Sequence, residues 1–262
     1  MKQDLIIFAD YGLDDAAATI SVLNAHNNFN AITIVPIGGN VPTNMSFNNC
    51  FTLLNNFLCL KNKITVVDTL DNPQPSEYLA EIHGNDGMGD IFKSNPKTND
   101  FKIIKYNQWL DTLNGNEVVL SLGPMTLVKP VMERYPLKLI LMGGCINESP
   151  NFKGYEFNHC LDTEAFAYCV KFPHTAITLD TCRIPALDIR NIDVVGDGLH
   201  EQILRADQKL SITRNEQGCY VWDDIAACYL LKPERFSTKA CTDKWGNIIN
   251  NAIYISSEVY YK

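Results

Sequence analysis

The sequence predicts an α/β fold: a single domain, residues 1–262, on a mostly parallel sheet flanked by helices. Two observations predict it. Short apolar runs alternate with longer stretches of helical periodicity, the pattern of strands joined by crossover helices. Glycine and polar residues gather where the apolar runs end, and sheets of this kind bind ligands beyond the carboxyl ends of their strands. The 262 residues, 46% apolar and 20% charged, are enough to bury a substantial core. No repeat, low-complexity tract or flexible linker divides them.

Taken in order, the apolar run Leu5-Ile6-Ile7-Phe8 predicts a buried first strand. Alanines 16, 17 and 18 ahead of Ile20, Val22 and Leu23 predict a helix from near Asp14. Ala31 to Ile37 is the second strand, closed by Gly38-Gly39-Asn40 and followed by a helix near Ser46 to Leu60. Ile64 to Val67 is the third. Pro73 and Pro75 then open a loop-like stretch to about Asn99, which contains His83-Gly84-Asn85-Asp86-Gly87-Met88-Gly89; a loop that long is usually functional or disordered. A short helix at Trp109 to Leu113 precedes the strand Val118 to Leu122, and Gly123-Pro124 leads to a helix from Met125 to Tyr135. Leu137 to Met142 is a strand closed by Gly143-Gly144, Asp162 to Phe172 is helical, and Thr175 to Leu179 is a strand. Beyond it the periodicity weakens, with helices near His200–Lys209 and Asp224–Leu231 and a late strand at Ala252 to Ser256.

Composition narrows the function. A net charge of −8 argues against a nucleic-acid backbone as partner and favours a small neutral or cationic ligand, or a metal. No apolar run approaches the roughly 20 residues of a membrane span, and Met1-Lys2-Gln3-Asp4 makes a poor signal peptide. The nine cysteines include no CxxC pair, and Cys59, Cys145, Cys169 and Cys228 stand in apolar contexts. They read as reduced, mostly buried thiols of a cytoplasmic protein. Cys and His do not cluster with zinc spacing. Neither GxGxxG nor GxxxxGK[ST] occurs, which disfavours a dinucleotide fold and a P-loop.

The chemistry concentrates in four segments. Asp10, Asp14 and Asp15 crowd one strand-to-helix turn. One or two acids there cap a helix and complement its dipole. Three repel and raise one another's pKa, which a bound cation relieves. A capping cluster and a hard-metal site both fit. The other segments are Gly39-Asn40 with Asn49, Glu156-Phe157-Asn158, and Trp222-Asp223-Asp224 at a helix start. Carboxylates with a backbone carbonyl make an oxygen site suited to Ca²⁺ or Mg²⁺. Asn and Glu are the residue types that hold sugar hydroxyls.

These segments resemble, in order, the motifs of the calcium-dependent nucleoside hydrolases, the inosine-uridine-preferring family. Asp10-Tyr11-Gly12-Leu13-Asp14-Asp15 is similar to the signature DxDPGxDD, and Gly39-Asn40-Val41 with Asn49 to GNV…N. His83-Gly84…Gly87-Met88-Gly89 resembles HGxxGLG, Gly123-Pro124-Met125-Thr126 resembles GPLTN, and Met142-Gly143-Gly144 resembles MGG. Glu156-Phe157-Asn158 followed by Asp162-Thr163-Glu164-Ala165 is similar to EFN…DPEAA, and Trp222-Asp223-Asp224-Ile225-Ala226 stands where the family has HDPLA. The resemblance implies a Rossmann-like nucleoside hydrolase architecture, a Ca²⁺ cofactor, a homodimer or homotetramer, and hydrolysis of a ribonucleoside to ribose and free base. It implies Asp10, Asp15 and Asp223 as side-chain ligands of Ca²⁺ and Thr126 as a carbonyl ligand, with Asp10 taking the proton of the calcium-bound water. Asp14, Asn40 and Asn158 would hold the ribose 2′- and 3′-hydroxyls, with Asp223 reaching the 3′ side; Glu156 would hold the 5′-hydroxyl and Met142 would pack on the ring. His83 would lie near the base or the 5′ end, a cap of its own loop being the alternative. The loop before Glu156 is shorter than the family's, and its sugar-binding Asn is assigned to Asn151, with Asn147 as the alternative.

Three departures stand out. Phe8 replaces the first Asp of the signature, and Tyr11 replaces its Pro, with an expected effect on the mouth of the site. Trp222 replaces a His that is an acid candidate for the departing base. Trp stacks rather than donates, and a Trp directly before the calcium-binding Asp resembles the purine-preferring branch, so a purine or modified purine is the favoured substrate, with purine salvage as the setting; a core role for Trp222 is the alternative. His26, His159, His174 and His200 are read as structural or surface residues, and Tyr220 and Trp245 as core, with a place lining the base pocket as their alternative. The other class of function is a ribosyl-ligand-binding protein of the same fold with weak or lost turnover.

Overall fold

The computed structural model describes residues 2–92 and 100–256. Its frame is one sheet of β1 (Gln3–Ala9), β2 (Phe29–Pro36), β3 (Ile64–Asp68), β4 (Lys102–Lys105), β5 (Val118–Ser121), β6 (Lys138–Met142), β7 (His174–Ile177), β8 (Phe236–Thr242) and β9 (Ile248–Tyr254). The strand order is β4-β3-β2-β1-β5-β6-β7-β9-β8. Every pairing is parallel except that of β8 with β9.

β1 lies inside this sheet and is apolar on both faces. Leu5, Ile7 and Ala9 join one core, and Ile6 and Phe8 join the other. That burial explains why the strand reads as a continuous apolar run rather than an alternating one. The first core is covered by α1 (Leu13–Asn24), α2 (Thr43–Leu54), α9 (Leu199–Thr213) and α10 (Trp222–Leu231). The second is covered by α4 (Tyr106–Leu110), α5 (Val128–Arg134) and α7 (Thr163–Cys169). Three short helices complete the set: α3 (Ala80–His83), α6 (Phe157–Leu161) and α8 (Leu179–Cys182). The chain winds outward from β1 through β2, β3 and β4, then returns to the other side of β1 at β5. That reversal is a switch point, and a crevice opens there beyond the strand ends.

The expected elements are present with shifted bounds, and two strands escaped the pattern. β4 is a short edge strand of two isoleucines between lysines, mostly exposed, so no apolar run marks it. β8 exposes most of its residues and reads as polar loop. The expected late strand begins four residues early, at Ile248. The helix expected at Asp162 to Phe172 is α7, which ends early at Cys169; Asp162, with φ −152°, separates it from α6, which the pattern did not predict, and its carboxylate caps α7 through Ala165 N–H. The helix expected to Leu60 ends at Leu54 and continues as a 3₁₀ turn kinked at Phe57. The helices expected at Trp109–Leu113 and Met125–Tyr135 are α4 and α5, and the strand expected at Thr175–Leu179 is β7. The long loop holds α3, and its expected end near Asn99 lies outside the described residues. All nine cysteines are free; Cys59 is exposed rather than buried. Among the described residues no helix is long and apolar enough to cross a membrane.

Candidate metal centre and active site

β1 ends at Ala9, so Asp10 is the first residue beyond the strand, and Asp14 and Asp15 fall in the first turn of α1. Asp15 folds back over this turn. Its Oδ1 accepts the Asp10 N–H at 2.9 Å and its Oδ2 the Gly12 N–H at 2.9 Å. The capping role is therefore real, and it fixes the carboxylate for a second one. Asp223, in the first turn of α10, brings a third acid to the same point. Asp10, Asp15 and Asp223 are buried, and each offers a carboxylate oxygen within 4.8 Å of the others. Two oxygens on opposite sides of one Ca²⁺ stand about 5 Å apart, so a single ion reaches all three. Asn40 completes the cradle: its N–H donates to Asp10 Oδ2 at 2.7 Å, and its side-chain amide donates to Asp10 Oδ1 and Asp15 Oδ2 at 3.2 and 3.3 Å. Gly39 must be glycine, because a Cβ there would lie 1.8 Å from Asp10 Oδ2.

Electrostatics points the same way. Burial, then the charge of Asp15, pushes the Asp10 carboxyl well above the usual range. The same two causes raise Asp14, with Asp207 adding to them. Asp223 is raised by burial and by all three N-terminal acids, and burial raises Asp15 despite its backbone donors. Asp14 Oδ1 and Asp223 Oδ1 are buried without a hydrogen-bond partner. A packed anion with orphaned oxygens fits a hard cation. The N-termini of α1 and α10 offset only part of its charge.

A cavity of about 690 Å³ opens beside the cluster, with Asp223 on its wall and Asp10 and Asp15 behind it. Asp14, Asn40, His83, Met142, Asn151, Glu156, Asn158, Trp222 and Asp223 all line it, so most of the residues singled out from sequence converge on one space. Glu156 caps α6: its carboxylate accepts Asn158 N–H and His159 N–H at 2.9 Å and Gly144 N–H at 3.0 Å. The Asn158 amide nitrogen donates to the carbonyls of Leu122 and Met142 at 2.9 and 3.2 Å, which leaves its Oδ1 to offer the cavity. Asn151 accepts the Phe157 N–H at 3.0 Å. Asn147 is exposed, does not line the cavity, and has its N–H on Asp180. Asn49 lies off the cavity and ties Asp86 to the Asp turn, donating to the Asp86 carbonyl at 2.8 Å and the Tyr11 carbonyl at 3.5 Å.

Thr126 stands apart. It does not line the cavity, and its hydroxyl donates to Asp162 Oδ2 at 2.7 Å. The carbonyl turned toward the Asn158 amide is that of Leu122, whose own N–H bonds the Phe8 carbonyl at 2.9 Å directly before Asp10. Tyr11 also differs from expectation. It is fully buried with φ +46°, its hydroxyl beside Cys50 and Thr19, so it shapes the core under the Asp turn and not the mouth. Phe8 is core as well, edge-on to Trp109 at 6.1 Å.

The far end of the cavity holds residues that the motif pattern did not mark. Tyr220 lines it beside Trp222, their rings 5.3 Å apart, so the pocket alternative to a core role is the one observed. The Arg183 guanidinium sits 5.7 Å from the Trp222 ring centroid while Nη1 donates to the Ser149 carbonyl at 2.7 Å. Arg214 pairs with Glu216 and donates to the carbonyls of Glu81 and Ile82 at 3.0 Å, which straps α9 to α3. His83 accepts the Leu13 N–H on Nδ1 at 3.2 Å, and burial, with the Arg214 charge, pushes it down to about 3, so it is neutral with its proton on Nε2. Asp207 lines the cavity from α9. A sequence signal for it existed: it is four residues after Ile203 and three after Leu204, an acid on the apolar stripe of its helix.

The family model described as inosine-uridine preferring nucleoside hydrolase matches residues 5–248. Among characterised proteins, the chain is 23% identical to the non-specific ribonucleoside hydrolase RihC of Klebsiella pneumoniae subsp. pneumoniae, covering 92% of this chain and 83% of that protein. It is 23% identical to a probable uridine nucleosidase 1 of Oryza sativa subsp. japonica, covering 83% of this chain and 65% of that protein. Among solved structures, a purine-preferring ribonucleoside hydrolase from Gardnerella vaginalis superposes with TM-score 0.70 at 21% identity, over 98% of this chain and 94% of that one. The plant nucleoside hydrolase PpNRh1 superposes with TM-score 0.73 at 18% identity, over 100% and 90%.

Proposed function

The chain belongs to the inosine-uridine preferring nucleoside hydrolase family, and on that premise we propose that it hydrolyses the N-glycosidic bond of a ribonucleoside, a purine or modified purine being favoured, to ribose and free base. One observation carries the reading: of three buried carboxylates close enough to share an ion, Asp223 lines a cavity whose wall also holds Asp14, Asn40, Asn158 and Glu156, residue types that bind hydroxyls. The cofactor we assign is Ca²⁺, held by Asp10, Asp15 and Asp223, with the Leu122 carbonyl rather than that of Thr126 as the main-chain donor. When bound, such an ion polarises water and hydroxyl oxygens.

This chain's own residues do the rest. Asp10 accepts the proton of the attacking water; its carboxylate is aimed by two hydrogen bonds from Asn40. Asp14 and Asn158 present acceptor oxygens to the ribose 2′- and 3′-hydroxyls, and Glu156, immobilised by three backbone donors, faces the 5′-hydroxyl. As the C1′–N bond breaks, positive charge develops on the sugar, as in glycoside hydrolysis. Fixed acids around the pocket stabilise that charge without reorganising. Met142 supplies an apolar wall, and Trp222 a face for the base to stack on. Cytoplasmic residence and a homodimer or homotetramer belong to the same proposal; sedimentation of the purified chain tests the assembly.

Purine, pyrimidine and modified ribonucleosides, incubated with the protein with and without a calcium chelator, test the core of the proposal through released reducing sugar. Chelator-sensitive release, highest for purines, is expected. No release from any substrate would leave a ligand-binding protein, and release that survives exhaustive chelation would remove the metal.

A further inference from the structure

We propose that Asp207 is the general acid of this site, donating a proton to the departing base from the α9 wall of the cavity, beyond Asp14. The inference rests on the hydrolase reading above and assigns the step that Trp222 cannot perform. When C1′–N9 breaks, its electron pair leaves with the base. A purine departs far more readily if a ring nitrogen such as N7 receives a proton at that moment. In the assigned step the proton on the Asp207 carboxyl passes to the base, the water oxygen bonds to C1′, and the water's proton goes to Asp10. Solvent at the cavity mouth then returns a proton to Asp207 and removes one from Asp10, so the sum is addition of one water.

Each other ionisable wall group around the base end is committed elsewhere. His83 is neutral and accepts the Leu13 N–H on Nδ1, so giving up its remaining proton would leave an imidazolate. Glu156 accepts three backbone N–H groups and is assigned to the 5′-hydroxyl at the sugar end. Glu148 pairs with Arg183 and Glu216 with Arg214. The Tyr220 phenol is raised by burial above an already high value. The Trp222 indole is no acid at all. Of the other wall carboxyls without an ion pair within 4 Å, Asp14, Glu156 and Asp223 belong to the sugar and metal end, so among the described residues Asp207 is the one such carboxyl left for the base end.

Its surroundings tune it. Burial pushes Asp207 up to about 6, against the lowering effects of Arg214, at the end of its own helix, and of the Cys219 thiol that donates to it; Glu216 adds to the rise. From α1, Asp14 faces it closely enough that the Asp207 charge raises Asp14 in turn. Asp14 marks the sugar, so Asp207 stands one step beyond it, where the base begins. An acid with a pKa near the working pH is both protonated often enough and strong enough to serve.

The test compares inosine with p-nitrophenyl β-D-ribofuranoside, whose leaving group needs no proton, across pH 5 to 8.5. The protonated acid is the active form, so the wild-type kcat on inosine should fall as pH rises above about 6, while the riboside rate shows no such limb. Asp207→Asn should lose roughly 10²-fold or more in kcat on inosine, lose the alkaline limb, and keep the riboside rate within about threefold, which also reports that the variant is folded. Asp207→Glu should recover part of the inosine rate. Equal losses on both substrates, or an unchanged inosine rate in Asp207→Asn, would overturn the assignment while leaving the hydrolase intact. If Asp207→Asn does not fold, Asp207→Glu with a wild-type limb on the riboside as well as on inosine overturns it. Wild-type protein that cleaves neither substrate sinks the hydrolase reading itself.

Discussion

The two ends of the cavity are made from different parts of the fold. The sugar end comes from positions tied to the sheet: Asp10 follows β1, Asn40 follows β2, Leu122 follows β5 and Met142 ends β6. The base end comes from α9, the segment after it, α3, the start of α10, and the loops that carry Glu148 and Arg183, none of which is a strand of the sheet. The ends also handle charge differently. The sugar end packs acids that raise one another and calls for a cation. The base end sets arginines against glutamates and leaves one carboxyl over. On the proposed reading, the sheet-anchored end holds the ribose and the water, and the helix and loop end chooses what leaves.

If that division holds, the largest effects belong to the sugar end. Asp10→Asn removes the proposed base and weakens the ion site together. We expect kcat to fall by about 10³-fold or more for every nucleoside alike, measured by reducing-sugar release. A loss confined to purines would break the division.

Next in size is a backbone effect beneath the same turn. Tyr11 has φ +46°, and proline is locked near −65°. Restoring the family's residue with Tyr11→Pro should therefore destabilise the protein, by about 3 kcal/mol, read from the urea midpoint. An unchanged midpoint would show that the turn refolds easily and is not part of the rigid frame.

Removing the cation should cost somewhat less and should depend on pH. An unfolded Asp titrates near 3.9, whereas Asp10, Asp14 and Asp223 are raised in the folded chain. Below the unfolded value these groups are protonated in both states and carry no penalty. As pH rises through the folded values, the stability of the protonated fold is lost. The Tm of chelated protein should therefore fall between pH 5 and 8. Added Ca²⁺ at a hundredfold excess over Kd should restore about 2.7 kcal/mol, or roughly 5–10 °C, with more restored at pH 8 than at pH 5. A chelated Tm that is flat or rises with pH would show that the cluster is not the packed anion described above.

Legibility in the sequence follows the same division. Asp10, Asp14, Asp15 and Asn40 could be read because strand, turn and helix signals pin them to a strand end, where only a few residue types work. Thr126 lies off the cavity wall and Leu122 on it; a motif gives order along the chain, not which carbonyl turns inward, and Leu122 has no side-chain chemistry to mark it. Tyr11 was expected at the mouth because nothing in the sequence shows a left-handed φ at a non-glycine residue. Asp207 and Arg214 went unmarked because their roles arise from packing between α9, α1 and α3, contacts remote in sequence. β4 and β8 were lost for the opposite reason: exposed edges need no apolar pattern.

Trp222→Ala should have the smallest effect and the most selective one. The indole has Tyr220 5.3 Å from its ring on one side and the Arg183 guanidinium 5.7 Å from its centroid on another, so it is held in place as a platform. Stacking of a base on an aromatic ring contributes about 1–3 kcal/mol, and Arg183 loses a cation–π contact of about 0.5–1 kcal/mol that replacement by water partly offsets. We expect kcat/KM for inosine to fall about 10-fold, near the lower end of that stacking range, with uridine falling less because its single ring covers less of the indole. The ratio of the two losses is the informative quantity, since ribose contacts cancel in it. A purine-selective loss carried mainly by KM identifies Trp222 as a recognition surface and leaves proton donation to another group. An equal loss for both bases would place Trp222 with the sugar-end frame, supporting Asp223 at the start of α10, and would move the choice of base onto Tyr220 and α9.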